Sequence, residues 1–109
     1  DSTGIGDVGV QALANSPRFA NLKKLYLCSN KMGDLGALAL ANSENLKNLN
    51  VLSLWRNEIR DEGGKAIAES QTFMNLERLY MSLNLMEKPV RKIIRGSELA
   101  KRLTTLVMD

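Results

Sequence analysis

The chain has 109 residues, the size of one ordinary domain. A hydrophobic share of 44% suits a folded chain, and no apolar run approaches the roughly 18–20 residues needed to cross a bilayer. There is no histidine, and the single cysteine, Cys28, excludes an internal disulfide framework. The net charge of +3 is unevenly placed: Lys88, Arg91, Lys92, Arg95, Lys101 and Arg102 face only Glu87 and Glu98 between Met86 and Leu103. A lone cysteine fits a reducing compartment, so a cytoplasmic location is expected.

In chain order, residues 1–21 read as a partial repeat, with Thr3 standing where later copies carry asparagine. Leu22-Lys23-Lys24-Leu25-Tyr26-Leu27-Cys28-Ser29-Asn30 then returns at Leu49–Asn57 and Leu76–Asn84, and begins again at Leu103, each start lying 27 residues after the last. A period of this order marks a solenoid. The copies are 22–48, 49–75 and 76–102, with 103–109 a further partial copy, and 1–109 forms one domain that opens and closes within repeats.

Each Leu-rich stretch alternates with period two, which predicts a strand with Leu25 and Leu27 on one face and Lys24, Tyr26 and Cys28 on the other. Asn30, Asn57 and Asn84 end the strands, where an amide bonds backbone groups left over by a tight turn and stacked copies bond one another.

A helix follows in every copy. Asp7, Asp34 and Asp61 occupy the expected N-cap position, and Gly9, Gly36 and Gly63 recur in the first turn, implying close approach to a neighbouring repeat. Ala12, Ala39 and Ala66, beside Leu13, Leu40 and Ile67, form the predicted buried face. Ser16, Ser43 and Ser70 close the helices, and Phe19, Leu46 and Phe73 plug the loops behind them. The copy after Asn84 departs from this pattern: Lys88 takes the aspartate column, Val90 the glycine column, and Ala100 the plug, with Pro89 expected at the first helical position. One strand and one helix per repeat predict an α/β fold, a parallel sheet with helices along one side, each repeat completed by its neighbours. Without caps, the open ends are expected to self-associate or fray.

Leu-x-x-Leu-x-Leu-x-x-Asn-x-Ile/Met, as in Leu49–Ile59, resembles the leucine-rich-repeat signature. The Gly-Asp-x-Gly-x-x-Ala-Leu-Ala half resembles the helix-bearing, ribonuclease-inhibitor-like class. Gly36-Ala37-Leu38-Ala39 is similar to the GALA type of bacterial effectors. The resemblance implies a horseshoe arc with the sheet concave and the helices convex. It also implies binding of a protein partner rather than catalysis, in the cytoplasm or, for a bacterial effector, inside a host cell.

Chemistry has few candidates. Without histidine there is no Cys/His pair and no Cys/His metal site, and no catalytic, cofactor or metal residue is assigned. Gly4–Gly9 spells G-x-G-x-x-G only because the repeat does. The informative positions are those off the core: Lys24, Val51, Arg78, Thr105; Tyr26, Ser53, Tyr80, Val107; Cys28, Trp55, Ser82, Asp109; and Ser29, Arg56, Leu83 at the rim. From these, Lys24, Tyr26, Ser53, Trp55, Arg56, Arg78, Tyr80 and Ser82 are the candidate partner-binding residues, being rich in the types enriched at hot spots. The plainer reading is that aromatics suit strands. Cys28 reads as a small strand residue. Val8, Leu35 and Leu38 either form an exposed apolar patch or are buried by a tilted helix. The run Lys88, Arg91, Lys92, Arg95 reads as a solvated helix face, and nucleic-acid binding is not expected. Two functions remain: an interaction module, or a substrate-recruiting segment of a larger effector or signalling protein.

Overall fold

A computed structural model describes residues 6–108. Thr3, Gly4 and Asp109, named above, lie outside that range. Helix α1 (Gly6–Ala14) leads into β1 (Lys24–Tyr26), α2 (Asp34–Ala41), β2 (Val51–Ser53), α3 (Asp61–Glu69), β3 (Arg78–Tyr80), α4 (Lys88–Arg95), α5 (Glu98–Arg102) and β4 (Thr105–Val107). The four strands form one parallel sheet in the order β1-β2-β3-β4. Lys24 pairs with Val51, Val51 with Arg78 and Arg78 with Thr105, so equivalent positions of successive copies are hydrogen-bonded neighbours.

Behind the sheet, α1, α2 and α3 pack side by side, with α4 and α5 against α3. Leu25, Leu52 and Leu79, then Leu27, Leu54 and Met81, project from the sheet into one cluster shared with Leu40, Ile67 and Ile94 of the helices. Short strands and short helices bury little alone; the columns bury one another.

The helix caps differ from expectation. The N-caps are Gly33, Arg60 and Glu87, one residue earlier than the aspartate column, and none makes a side-chain cap bond. Each aspartate reaches instead into the next repeat. Asp7 Oδ1 accepts from the Gly33 and Gly36 amides at 2.8 and 2.7 Å, Asp34 Oδ1 from Arg60 N at 2.7 Å, and Asp61 Oδ1 from Glu87 N at 2.8 Å. These carboxylates serve the orphan amides of the neighbouring helix rather than their own, because stacking puts that amino end within reach. The glycines make room for them: a Cβ on Gly36 would lie 2.7 Å from Asp7 Oδ1, and one on Gly63 2.5 Å from Asp34 Oδ1. In α4, Lys88 opens the helix and Pro89 is its second residue, not its first.

The buried helix face is also rotated from the predicted one. Ala14, Ala41 and Ala68 are buried, whereas Ala12 is exposed and Ala39 and Ala66 only partly covered. In α4 the consequence is plain: Ile94 is fully buried while Ile93, in the column of Ala66, is 54% exposed. Consecutive helical residues point about 100° apart, and in α4 Ile94 takes the core side while Ile93 turns toward solvent.

Ser43 and Ser70 donate to Ala14 O and Ala41 O, the end of the preceding helix, at 2.6 and 2.5 Å. Leu46 and Phe73 are buried plugs as predicted, and Phe19 is partly covered. The fourth copy corrects the Ala100 assignment. Ser97 caps α5, a helix not anticipated from the sequence, and Leu99 at 1% exposure fills the plug position while Ala100 stays half-buried.

Candidate binding surface

Beyond each three-residue strand the ladder continues. Leu27 N donates to Ser53 O, Leu54 N to Tyr80 O and Met81 N to Val107 O, at 2.7–2.9 Å. Ser29 N then donates to Trp55 O and Arg56 N to Ser82 O, at 3.0 and 2.9 Å. The added register holds Cys28, Trp55 and Ser82 on the open face as a third row above Tyr26, Ser53 and Tyr80. There the chain turns. Ser29, Arg56 and Leu83 have φ of 58°, 61° and 60°, left-handed values that non-glycine residues adopt at some cost.

The asparagine column anchors this turn from beneath. Asn57 Oδ1 accepts from Asn30 N and Met32 N, both at 3.0 Å, and its Nδ2 donates to Leu27 O at 2.6 Å and Leu54 O at 3.1 Å. Asn84 repeats the pattern toward Ile59 N and Leu54 O. Each amide therefore bonds the backbone of the preceding copy.

On this frame the open face carries an apolar depression of about 420 Å³ lined by Cys28, Ser53, Trp55, Tyr80, Ser82 and Val107. Trp55 is 40% exposed, a large amphipathic ring left partly in water, and the Arg56 guanidinium lies over it at 5.9 Å from the ring centroid. Four of the eight predicted residues, Ser53, Trp55, Tyr80 and Ser82, thus meet in one place. Lys24, Tyr26, Arg56 and Arg78 are exposed outside the depression, all on strand columns or the adjoining rim.

Ser53 requires a correction. At 5% exposure, between Tyr26 and Tyr80 in register, it forms the floor of the face, with its hydroxyl 3.2 Å from Cys28 Sγ. A small side chain flanked by two tyrosines is shaded by them. Cys28 and Val107 belong to the lining and were not among the chosen residues, although their columns pointed to them.

Other candidates separate as well. Val8 and Leu35 are exposed at 80% and 60%, while Leu38 is only partly so, which settles the choice in favour of an exposed pair on the helix side. The basic run is exposed at Lys88, Lys92 and Arg95, as expected of a solvated face, and half-buried at Arg91. Arg91 stands in the column of buried Ala37 and Gly64, with its Nε buried and unbonded among the described residues. Arg95, in the column of buried Ala68, donates from Nη2 to Met108 O at 3.1 Å. Among the described residues no helix is long and apolar enough to cross a membrane, and no group of three His, Cys, Asp or Glu side chains converges for a metal ion.

Parallel strand–turn–helix units, stacked through leucine and asparagine columns, define a repeat solenoid. A family model described as a leucine-rich repeat matches residues 1–14, 20–41 and 45–68, more than half of the chain. The chain belongs to the leucine-rich-repeat family, whose repeats commonly mediate protein–protein interaction. A search of the curated proteins finds no match.

Proposed function

We propose that this chain is a non-catalytic interaction module of the ribonuclease-inhibitor-like class, which binds a protein partner on the open sheet face, the concave side of a horseshoe arc. The observation that carries the reading is the apolar depression lined by Trp55 and Tyr80, sited where the columns change between polar, aromatic and aliphatic types while the core columns keep to leucine and methionine. Trp, Tyr and Arg in a desolvatable hollow are the combination from which hot spots are made. Lys24, Tyr26, Arg56 and Arg78 surround it as the polar margin. A cytoplasmic setting accords with the unpaired Cys28.

The test compares capture of a specific partner by the wild-type chain, by the double variant Trp55→Ala/Arg56→Ala, and by Val8→Glu/Leu35→Glu. Affinity should fall at least about tenfold in the first variant and stay unchanged in the second. Equal capture by wild type and Trp55→Ala/Arg56→Ala would overturn the assignment, and loss only in Val8→Glu/Leu35→Glu would move the site to the helix side.

A further inference from the structure

The open face has a charge pattern that narrows the kind of partner. Its outward columns carry Lys24 and Arg78 below the aromatic rows and Arg56 above them, all exposed. Among the described residues those columns hold no carboxylate and none of the three cations forms an ion pair; Asp109, which ends the row of Trp55 and Ser82, lies outside them. The Arg56 guanidinium lies over the indole of Trp55. Between the two cationic levels lie Tyr26, Tyr80, Val107 and the depression. The carboxylates Glu77 and Glu58 stand outside, one before Arg78 and one beyond Arg56.

We propose that the partner presents a short acidic segment: an apolar side chain seated over Ser53 between Trp55, Tyr80 and Val107, flanked by carboxylates that meet Arg78 or Lys24 at one end and Arg56 at the other. This rests on the open-face reading and names its ligand. From the row of Lys24 to the row of Cys28 a strand advances about 13 Å, and Arg56 lies one position further. An extended peptide spans that distance with carboxylates about four to five residues apart. Complementary charge steers the encounter and fixes orientation, while the buried apolar anchor supplies affinity. A nucleic acid would also find aromatics and cations here. Its continuous phosphate chain, however, must leave the face past Glu58 or Glu77, and the Trp55 ring is already covered on one side by Arg56.

The chain supplies its own probes, since Trp55 is the only tryptophan and Cys28 the only cysteine. Synthetic peptides with a central leucine between two glutamates, the same peptides with lysine for glutamate, and a single-stranded uridine oligonucleotide are titrated while Trp55 emission and the alkylation rate of Cys28 are followed. The glutamate peptides should shift emission saturably, slow alkylation and weaken with salt. Arg78→Glu or Lys24→Glu should each weaken them about tenfold, and Lys92→Glu should have no effect. Lysine peptides that bind equally well would overturn the acidic assignment while leaving the open-face site standing. Response to the oligonucleotide alone would replace the peptide by nucleic acid. No response of Trp55 or Cys28 to any probe would remove both readings.

Discussion

Asn57 is 5% exposed and bonds backbone on both sides of the preceding copy's turn, Leu27 O before Cys28 and the Asn30 and Met32 amides after it, as well as Leu54 O of its own copy. Removing its amide takes away the bonds that the Asn30 and Met32 amides and the Leu27 carbonyl make to it, each a loss of about 1–3 kcal/mol. Asn57→Ala should therefore cost about 3–5 kcal/mol in urea unfolding, a large share of a typical domain's stability. Asn50→Ala, which removes a single bond at a more open site to Asn75 O, should cost under about 1 kcal/mol. If the two variants unfold at the same urea concentration, the anchoring role of the column is wrong. This role was legible because an amide at a strand end has backbone groups to bond. The left-handed turn beside it was not: Ser29, Arg56 and Leu83 share no residue type that favours positive φ. Ser53 misled for a similar reason, since its burial depends on tyrosines one strand away.

Among the elements, the helices show what local rules cannot decide. An aspartate followed by glycine and a helix reads as an N-cap by every local signal. In the folded stack the same carboxylate serves the helix of the next copy, 26 residues on. Gly63→Ala tests this. The new methyl would gain up to about 1 kcal/mol of helix propensity but meet Asp34 Oδ1 at 2.5 Å and Ala37 Cβ at 3.0 Å. Overpacking of that kind costs about 1–3 kcal/mol, so the net effect should be destabilisation by about 1–2 kcal/mol. Gly33→Ala, whose nearest neighbour would be 3.4 Å away, should change stability by less than about 0.5 kcal/mol. A Gly63→Ala variant more stable than wild type to thermal unfolding would show that the aspartate moves aside freely. The rotation of the helix face and the appearance of α5 were beyond local reading too. A shift of one residue in an eight- or nine-residue helix changes which column enters the core, and only packing against neighbours selects it.

Over the whole molecule, stability should be graded along the stack. The middle strands are sealed on both sides, with Leu52, Leu54 and Leu79 fully buried, whereas Leu106 of β4 and Leu22 and Leu13 near the other end are only partly covered. In a quasi-one-dimensional array the outer layers lack one neighbour interface. Native-state hydrogen exchange should find the Leu54 and Met81 amides, which donate to Tyr80 O and Val107 O, protected more strongly than the amides of α1 and α5. Uniform exchange rates across these amides would mean that the chain opens only as one unit.

Sequence by itself determined the repeat, the strand faces, the asparagine anchors and the rows from which a binding face is built. Those features follow from alternation along one strand and from identity between copies, both of which are written in the order of residues. Only the tertiary structure decided where each aspartate bonds, which helix column is buried, and that Cys28 and Val107 join Trp55 and Tyr80 around one hollow. Those depend on distances between residues far apart in sequence, set by how closely each repeat settles on the next, which no single copy specifies.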